Sequence, residues 1–593
     1  MLTDMNFSIL PFLLPRINLE PYLEKCYDRS TAITSLEHAR LHHEFSTIYV
    51  AWAIRTNLNP KVIETYLNTY EASMVKHGVC SWVPLQLGSQ DRQYPILYFA
   101  VERSSPEIIR VLCKVGADPS LRVFSSDAAA GFSVLSYAIL SAEYAVSDTT
   151  DTVIALLSGG ANPQDIPQDM WQDYIKAPSI SMTYAPNWDK VLHYKWCTGE
   201  VRKALGQNLN LMQRYSLWKA WHISHPTPRM IQCAEAWEMK LIFEVPYHVI
   251  GQHHATEQVQ KAVLGHRLFQ NDTPLVLVFT GPSGHGKTEL ARRMGSLLWV
   301  ELLVVDCTEM RMETDIFGPK APYHGSDKGT PFNNYLAEWN GKRAVVFLDE
   351  YEQTTDAVRK SMLLLSENGD YKDRRNHKQS DCSQIIWVLA ASFGVELINQ
   401  FWIQHPDDQN LDQQKMAPFK ILEASLRMKA ISEISAPVTG RISEIVPLFP
   451  FNHDEQAVTT HKFMRQLWNK VRAPINTEQK WFPGHSFINY VDDGRIARWL
   501  SKDGYNAELG ARSLESAVVR GIQRKVADAF FGEAEKVTDS VNNGPLPKYD
   551  VRLVTVSGDV SEVVVECNGV KRVQERKDEC IKMEETNSSE EEL

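Results

Sequence analysis

The sequence of 593 residues lacks several features that would place it in a common protein class. No apolar run approaches the roughly 20 residues that a membrane-spanning helix needs, so no membrane partner is expected. The nine cysteines are scattered singly without a Cys-x-x-Cys pair, which argues against a disulfide framework or a zinc site. The formal net charge is −11, so a broad electrostatic footprint for nucleic acid is not expected either.

The start of the chain also lacks the arginine-rich, acid-poor composition of a mitochondrial presequence. It contains Glu20 and Glu24, and its short apolar run from Phe7 to Leu14 is interrupted by Pro11. We therefore expect a cytoplasmic protein, with the nucleus as the alternative. The apolar share of 44% is typical of a globular chain, and the length predicts about three to four domains.

A glycine-rich stretch stands between an apolar run, Leu275–Phe279, and a helical pattern. This order of strand, turn and helix start matches the phosphate-binding loop G-x-x-x-x-G-K-[ST]. Its predicted nucleotide-binding residues are Gly281, Pro282, Ser283, Gly284, His285, Gly286, Lys287 and Thr288. The glycines let backbone N–H groups approach phosphate oxygens, and the helix N-terminus adds partial positive charge. Lys287 would then reach the β and γ phosphates of ATP, and the Thr288 hydroxyl would bind Mg²⁺.

Three apolar runs after this loop predict buried strands of a parallel sheet: Leu302–Val305, Ala344–Leu348 and Ile385–Leu389. The second of them ends in Asp349 and Glu350. A doubly wound fold places catalysis at the carboxyl ends of its strands. Asp349 would therefore hold, through water, the Mg²⁺ that the loop threonine binds, and Glu350 would polarise the water that attacks the γ-phosphate.

Two segments in the N-terminal third resemble each other, one from Pro95 to Pro119 and one from Ser133 to Pro163. Each has two apolar helical runs followed by Gly-Ala-Asp-Pro or Gly-Ala-Asn-Pro, and each resembles an ankyrin repeat unit. Two units cannot bury a continuous core alone, so degenerate flanking units are expected. An unrelated helical hairpin domain is the alternative.

Tryptophan is dense between about Met170 and Val245, and prolines interrupt any long helix there. The tryptophans are Trp171, Trp188, Trp196, Trp218, Trp221 and Trp237. Large aromatic side chains most often serve packing, so we expect this segment to dock the repeats onto the next domain of the chain. A ligand or peptide surface is the alternative interpretation.

The order of motifs resembles the ATPase module of Clp-type AAA+ unfoldases and disaggregases, over about residues 244–567. The phosphate loop continues Glu289-Leu-Ala291, and His248-Val-Ile-Gly-Gln252 stands where that family has an Ile-Gly-Gln turn. Gly510-Ala-Arg512 matches the Gly-Ala-Arg motif of the family's helical lid. The resemblance implies that Ile250 packs against the adenine and that Arg512 contacts the γ-phosphate. The domain order, with ankyrin-like repeats followed by a single ATPase module, resembles that of a caseinolytic peptidase B homologue with ankyrin repeats.

The same resemblance implies roles for three further residues. Tyr323 would line the pore of a ring and grip a translocating polypeptide; a tyrosine of the core or of a turn is the alternative. Ser392 stands where the family usually has a sensor asparagine, and its shorter hydroxyl puts the hydrolysis rate in question. Arg441 would enter the neighbouring subunit's nucleotide site, which requires a closed ring, or would form a surface salt bridge instead.

The sequence therefore predicts a multidomain fold. All-α, ankyrin-like repeats precede an α/β AAA+ P-loop domain with a parallel sheet, and a C-terminal helical lid ends in a β-hairpin. The predicted ranges are an N-terminal region 1–165 with its clearest repeats at 90–165, a Trp-rich connector 166–243, an ATPase domain 244–450, a lid with hairpin 451–570, and an acidic disordered tail 571–593.

The predicted function is that of an ATP-hydrolysing chaperone. It would bind ATP and Mg²⁺, assemble as a homo-oligomer, most simply a hexameric ring, and translocate unfolded or aggregated protein clients through the pore. The repeats would recruit those clients. The alternative is an interaction scaffold in which repeats bind partners and the ATPase module is slow or inactive.

Overall fold

The computed structural model describes residues 45–84, 93–123, 131–143, 148–178, 194, 196–269, 273–298, 300–405, 416–476, 478–484, 486–532, 548–557 and 560–568. Its contacts divide the chain into two units. The first unit comprises Met1–Trp221, Gln456–Gly504 and Leu514–Leu593, and the second unit comprises His222–Glu455 and Tyr505–Ser513. Three predicted features lie outside the described residues: the tail 571–593, Trp188, and the turn of the C-terminal hairpin at Gly558 and Asp559.

The N-terminal part of the chain consists of short helices and two short strand pairs. Its elements are α1 Thr47–Arg55, α2 Pro60–Leu67, α3 Ala72–Val79, β1 Trp82–Pro84, β2 Gln93–Pro95, α4 Ile96–Glu102, α5 Pro106–Lys114, β3 Arg122–Val123, β4 Phe132–Ser133, α6 Val134–Leu140, α7 Thr150–Ser158, α8 Gly199–Asn208 and α9 Leu211–His222. Strands β1 and β2 pair antiparallel, as do β3 and β4.

The central part alternates strands with helices. Its elements are α10 Pro228–Ala236, α11 Val245–His248, α12 His253–Leu268, β5 Leu275–Thr280, α13 Lys287–Leu297, β6 Leu302–Asp306, α14 Glu313–Phe317, α15 Pro331–Glu338, β7 Ala344–Asp349, α16 Asp356–Ser361, α17 Leu363–Glu367, β8 Asp370–Lys372, β9 Gln379–Asp381, β10 Ile385–Ala391, α18 Val395–Gln404, α19 Met416–Glu433, α20 Ala436–Thr439 and β11 Glu444–Pro447.

The C-terminal part mixes helices with a small sheet. Its elements are α21 His453–Arg472, β12 Phe487–Tyr490, α22 Asp493–Gly504, α23 Ala511–Val518, a π-helical turn Val519–Gln523, α24 Arg524–Phe531, β13 Lys548–Ser557 and β14 Val560–Asn568. Strands β13 and β14 pair antiparallel, and β12 joins β13 in parallel. The region predicted as a helical lid therefore contains a three-stranded sheet, and β12 is a strand that sequence reasoning missed.

Helix pairs lie where the two repeat-like segments were predicted, α4 with α5 and α6 with α7. The side chain of Ser105 caps α5 by accepting from the Ile108 N–H, and Pro106 occupies the first turn of the helix. Gly116 follows α5 with φ 103°, a left-handed conformation that suits glycine and ends the helix. The ankyrin assignment itself stays a prediction, because paired helices also occur in unrelated folds.

The second unit is built on a five-stranded sheet in the order β11-β5-β10-β7-β6. All neighbouring strands run parallel, as predicted from the apolar runs. Along β5 the side chains alternate between two buried clusters: Val276 and Val278 face one, and Leu277 and Phe279 face the other. Both faces of the sheet are thus covered, which explains the near-continuous apolar sequence of these strands. Among the helices that the structure describes, none is long and apolar enough to cross a membrane.

In the first unit, a buried carboxylate joins segments that are far apart in sequence. Asp493 Oδ1 accepts from the Arg214 Nη2 at 2.8 Å, and its Oδ2 accepts from the Leu211 N–H at 2.6 Å. His461 Nε2 lies 3.3 Å from the same carboxylate. Gly494 is required beside it, since a Cβ there would lie 1.9 Å from the Ile175 carbonyl oxygen. The Trp-rich segment therefore docks onto α22, and Trp171 and Trp196 are buried in packing.

Arg465 of α21 adds a second ion-pair network in the same unit. Its guanidinium pairs with Asp148, and its Nη2 lies 2.6 Å from Asp151 Oδ2. Burial alone would lower the pKa of Arg465, but the two carboxylates raise it, so the arginine stays charged. The repeat-like helices and the C-terminal helices thus share one folded unit.

Replacing Asp493 with asparagine should lower the free energy of local opening of α22 by about 3 to 5 kcal/mol, because the change leaves the buried Arg214 without its counter-charge. Native-state hydrogen exchange of the α22 amides measures this opening. Asp492→Asn is the matched control. The Asp492 side chain is exposed and accepts from the Arg495 N–H, which an asparagine side chain also does, so the effect should stay within about 0.5 kcal/mol. Equal losses in both variants would contradict the role of the buried pair.

The same network should make stability depend on pH. Burial acts to raise the pKa of Asp493, but Arg214 and His461 lower it by more than burial raises it, so the net pKa lies well below its ordinary value. Below about pH 4 an unfolded aspartate binds a proton, whereas the folded Asp493 does not. The stabilisation of the folded state by the charged Asp493 is therefore present above that pH and is lost as the pH falls. The difference between wild type and Asp493→Asn should therefore shrink below about pH 4, measured by the same hydrogen exchange.

Candidate active site

The carboxyl ends of the central strands lie side by side. In the parallel register Thr280 of β5 is paired with Ala391 of β10, and Asp306 of β6 is paired with Asp349 of β7. The residues that follow each strand, predicted from separate stretches of sequence, therefore emerge at one edge of the sheet. This is the edge at which open parallel sheets bind ligands.

The phosphate loop wraps tightly against neighbouring backbone. Gly281 has φ 150°, and a Cβ on it would lie 2.4 Å from the Leu448 carbonyl oxygen. Gly284 has φ 74°, and a Cβ on it would lie 2.2 Å from the Leu509 carbonyl oxygen. Only glycine fits both positions. Lys287 is the first residue of α13, is buried, and donates from Nζ to the carbonyl oxygen of Gly281 at 2.7 Å. The loop thus combines backbone N–H groups, a helix N-terminus and an ammonium group.

The two acids predicted to serve catalysis stand directly beside the loop. Asp349 Oδ2 lies 3.3 Å from the Thr288 Oγ1, so the two predicted Mg²⁺ ligands are neighbours. Glu350 has φ 52°, a left-handed conformation that is uncommon for a residue with a side chain and that occurs preferentially at functional sites. Burial raises the pKa of Glu350, and the nearby carboxylate of Glu352 raises it further.

Arg512 lies next to the loop in space, because the preceding Ala511 N–H donates to the Gly284 carbonyl oxygen at 3.0 Å. Burial is the main cause of the lowered pKa of Lys287; the cationic Arg512 adds to that effect, and Glu350, Glu352 and Asp349 oppose it. One further cation and three carboxylates are therefore close enough to Lys287 to act on its charge. Such a group of charges suits a polyanion together with a divalent cation.

The residues present fit ATP and Mg²⁺. A hydroxyl and a carboxylate are the hard oxygen ligands that Mg²⁺ prefers, and substrate phosphates commonly complete its coordination. Within the described ranges no cluster of three or more His, Cys, Asp or Glu side chains is arranged to hold a metal by itself. Thr288 and Asp349 would thus hold a Mg²⁺ that arrives with the nucleotide, and the ion would neutralise phosphate charge.

The other predicted site residues lie elsewhere or make different contacts. Ser392 donates from its backbone N–H to Glu352 Oε1 at 2.7 Å, and its side chain is exposed at the strand end. Arg441 instead pairs with Glu367 and donates to the Pro437 carbonyl oxygen. Tyr323 lies on the loop between α14 and α15 and is 72% exposed, so its ring is not part of the core.

Three residues around the site were given no role from the sequence, although two of them, Val249 and Gln252, belong to the segment that contains the Ile-Gly-Gln turn. Glu352 accepts from the Ser392 N–H and raises the pKa of Glu350. The sequence Asp-Glu-Tyr-Glu, which places a third acid next to the two predicted ones, could have indicated it. Gln252 is buried and bridges the loop, since its Nε2 donates to the carbonyl oxygens of Phe449 at 2.7 Å and of His285 at 3.3 Å.

Val249 is the third. Its Cγ1 would lie 3.6 Å from a Cβ on Gly286, so this residue borders the phosphate loop directly. Val249 is 5% exposed, whereas its neighbour Ile250, the predicted adenine contact, is only half-buried. The side-chain roles within this turn depend on its backbone path, which the sequence does not give.

The chain is similar to several known proteins. A family model described as an AAA domain (Cdc48 subfamily) matches residues 273–428. The chain is 24% identical over 426 residues to the mitochondrial disaggregase of Rattus norvegicus, covering 68% of this chain and 55% of that protein. It is 24% identical over 311 residues to the chaperone protein ClpB of Chlamydia pneumoniae, covering 51% of this chain and 33% of that protein.

A similar solved structure is a closed-state cryo-EM reconstruction of Hsp104 with ATPγS and FITC casein. It gives a TM-score of 0.42 at 17% identity and covers 73% of this chain and 68% of that chain. The chain spans about half the length of the mitochondrial disaggregases that it matches.

The neighbouring Thr288 and Asp349 should act as one metal-binding pair. Thr288→Ala and Asp349→Asn should each reduce the Mg²⁺ enhancement of ATP binding about tenfold or more, and the double variant should lose little beyond either single one, because the two act on one ion. Binding of a fluorescent ATP analogue, titrated with Mg²⁺ or with EDTA, measures this. Binding in EDTA serves as the control and should stay unchanged; additive losses would speak against a shared ion.

Proposed function

From the premise that the chain carries an AAA+ ATPase domain of the Clp type, we propose that it is an ATP-driven chaperone that unfolds or disaggregates proteins. Lys287 and Arg512 bind the phosphates, Thr288 and Asp349 hold Mg²⁺, and Glu350 orients the attacking water. The observation that carries the proposal is the convergence of these groups at one sheet edge. Two of its relatives are named mitochondrial disaggregase and chaperone protein ClpB, and these names support the proposal of a disaggregating chaperone.

The exposed loop around Tyr323 supports a mechanical use of ATP. Tyr323 and the neighbouring His324 are exposed, and the loop belongs to the same unit as the nucleotide site. An aromatic ring offers apolar contact area to any extended polypeptide, whatever its sequence. In a ring of subunits, hydrolysis would move this loop along the pore and pull the client through. The helical N-terminal region would recruit clients.

The ring proposal depends on Arg441. In the single chain its guanidinium pairs with Glu367, whose side chain is half exposed, and such exposed pairs contribute little stability. Arg441 can therefore exchange Glu367 for the phosphates of a neighbouring subunit at small cost. An arginine supplied in this way accelerates phosphoryl transfer by about 10³ to 10⁵ where it has been measured.

Tyr323→Ala should abolish the stimulation of ATP turnover by unfolded protein while leaving basal turnover within about twofold, because only the grip on the client is removed. Tyr323→Phe is the matched control and should retain most stimulation, since the ring remains. Turnover with and without an unfolded reporter protein, together with reactivation of aggregated luciferase, measures both. Normal turnover without any ATP-dependent luciferase rescue by wild type would rule out threading.

Mixing two inactive variants should test whether Arg441 acts between subunits. Glu350→Gln lacks the residue that activates water, and Arg441→Ala lacks the arginine, so each alone should show little turnover. In mixed rings a site with Glu350 meets a neighbour with Arg441, and turnover should rise well above the mean of the separate samples. If Arg441 acted within its own subunit, the mixture would stay at that mean.

Ser392 favours a second candidate function, a nucleotide-gated interaction scaffold. Its backbone donates to Glu352, its side chain is exposed, and it carries no amide for the attacking water. In this reading the N-terminal region binds partners and ATP binding changes the conformation without rapid hydrolysis. Wild-type turnover near zero combined with tight ATP binding would favour the scaffold over the motor.

A further inference from the structure

The phosphate loop contains a buried histidine that the proposed reaction does not use. His285 is 0% exposed and stands between two glycines of the loop. Its Nδ1 lies 2.8 Å from the Ser283 carbonyl oxygen, and its Nε2 lies 2.9 Å from the Tyr505 hydroxyl. The ring packs against Phe451, with centroids 4.9 Å apart.

The chemistry of these partners determines the protonation of the ring. Burial lowers the pKa of His285 to about 4, so the imidazole is neutral at pH 7. A carbonyl oxygen can only accept, so the ring proton must sit on Nδ1 and Nε2 must be the acceptor. Burial also raises the pKa of Tyr505 to about 12, so its hydroxyl keeps its proton and donates to Nε2.

Tyr505 begins the short segment that carries Arg512, and this segment returns to the phosphate loop at its other end. The Ala511 N–H donates to the Gly284 carbonyl oxygen at 3.0 Å, directly before Arg512. Gly284 and Gly510 approach so closely that a Cβ on Gly510 would lie 2.7 Å from the Gly284 carbonyl oxygen. The segment is thus attached to the loop at both ends, once through backbone and once through two side chains.

We propose that His285 and Tyr505 are a positioning pair that sets the Arg512 guanidinium at the γ-phosphate and so makes the site prefer ATP to ADP. The proposal rests on the nucleotide binding of the proposed function. Arg512 has a long side chain, and attaching its segment at both ends reduces the conformational entropy that it loses on contacting a phosphate. ADP lacks the γ-phosphate, so its binding does not gain from this constraint.

Tyr505→Phe tests the pair, because it removes the donated hydrogen bond and keeps the ring. The affinity for ATP relative to ADP should fall about fivefold or more, with ADP affinity unchanged within about twofold. Calorimetric titration of the Glu350→Gln background with both nucleotides avoids hydrolysis during the measurement. Unchanged ADP affinity also shows that the variant is folded.

Arg512→Ala supplies the second arm. If Tyr505 acts through Arg512, then adding Tyr505→Phe to Arg512→Ala should change the ATP-to-ADP ratio no further. Tyr490→Phe is the matched control: Tyr490 is a half-buried tyrosine of the first unit whose hydroxyl donates to the Met464 carbonyl oxygen at 2.8 Å, and the loss of this hydroxyl should not alter the ratio.

Three results separate the outcomes. Equal loss of ATP and ADP affinity in Tyr505→Phe would reduce the pair to structural support of the loop and overturn the inference. An undiminished effect of Tyr505→Phe in the Arg512→Ala background would overturn it as well. Absence of nucleotide binding in the unmodified chain would instead defeat the proposed function, and the inference with it.

Discussion

The parallel register of the central sheet is the constraint on which the site depends. Thr280 and Asp349 end two strands that each pair with β10, so the phosphate loop and the two acids emerge at the same edge. Both faces of these strands are buried, so a slip by one residue would move each side chain out of the cluster into which it packs and into the opposite one. Packing of valine, leucine and phenylalanine thereby determines where charge is placed.

A second level of organisation brings distant segments onto the loop. Gln252 precedes the loop in sequence and contacts the carbonyl oxygen of His285. Tyr505 follows His285 by 220 residues and contacts the ring of the same histidine. Glycines permit this approach, since any side chain at Gly284 would collide with the Leu509 backbone. The loop is therefore held from several sides, and its carbonyl and N–H groups are oriented before any nucleotide arrives.

Local signals made much of the second unit predictable. A phosphate loop needs a strand, glycines and a helix start within a few residues, and a buried strand needs a short apolar run, so Lys287 and Asp349 could be assigned directly. The family model and the relatives confirm the predicted resemblance to Clp-type AAA+ proteins and the ATPase class. The ankyrin repeats, the domain boundaries, the ring, the clients and the cellular compartment remain predictions, because these depend on surfaces and partners.

The sequence by itself determined which chemical groups are available and which elements carry them, since periodicity and glycine spacing are local properties. Only the tertiary structure decided that Asp493 holds the Trp-rich segment to α22, that Glu352 borders Glu350, and that Tyr505 donates to His285. The reason is physical: a buried polar group must find its partner in space, and the chain offers many candidates at every sequence distance. Folding selects one of them through the packing of the apolar residues around it.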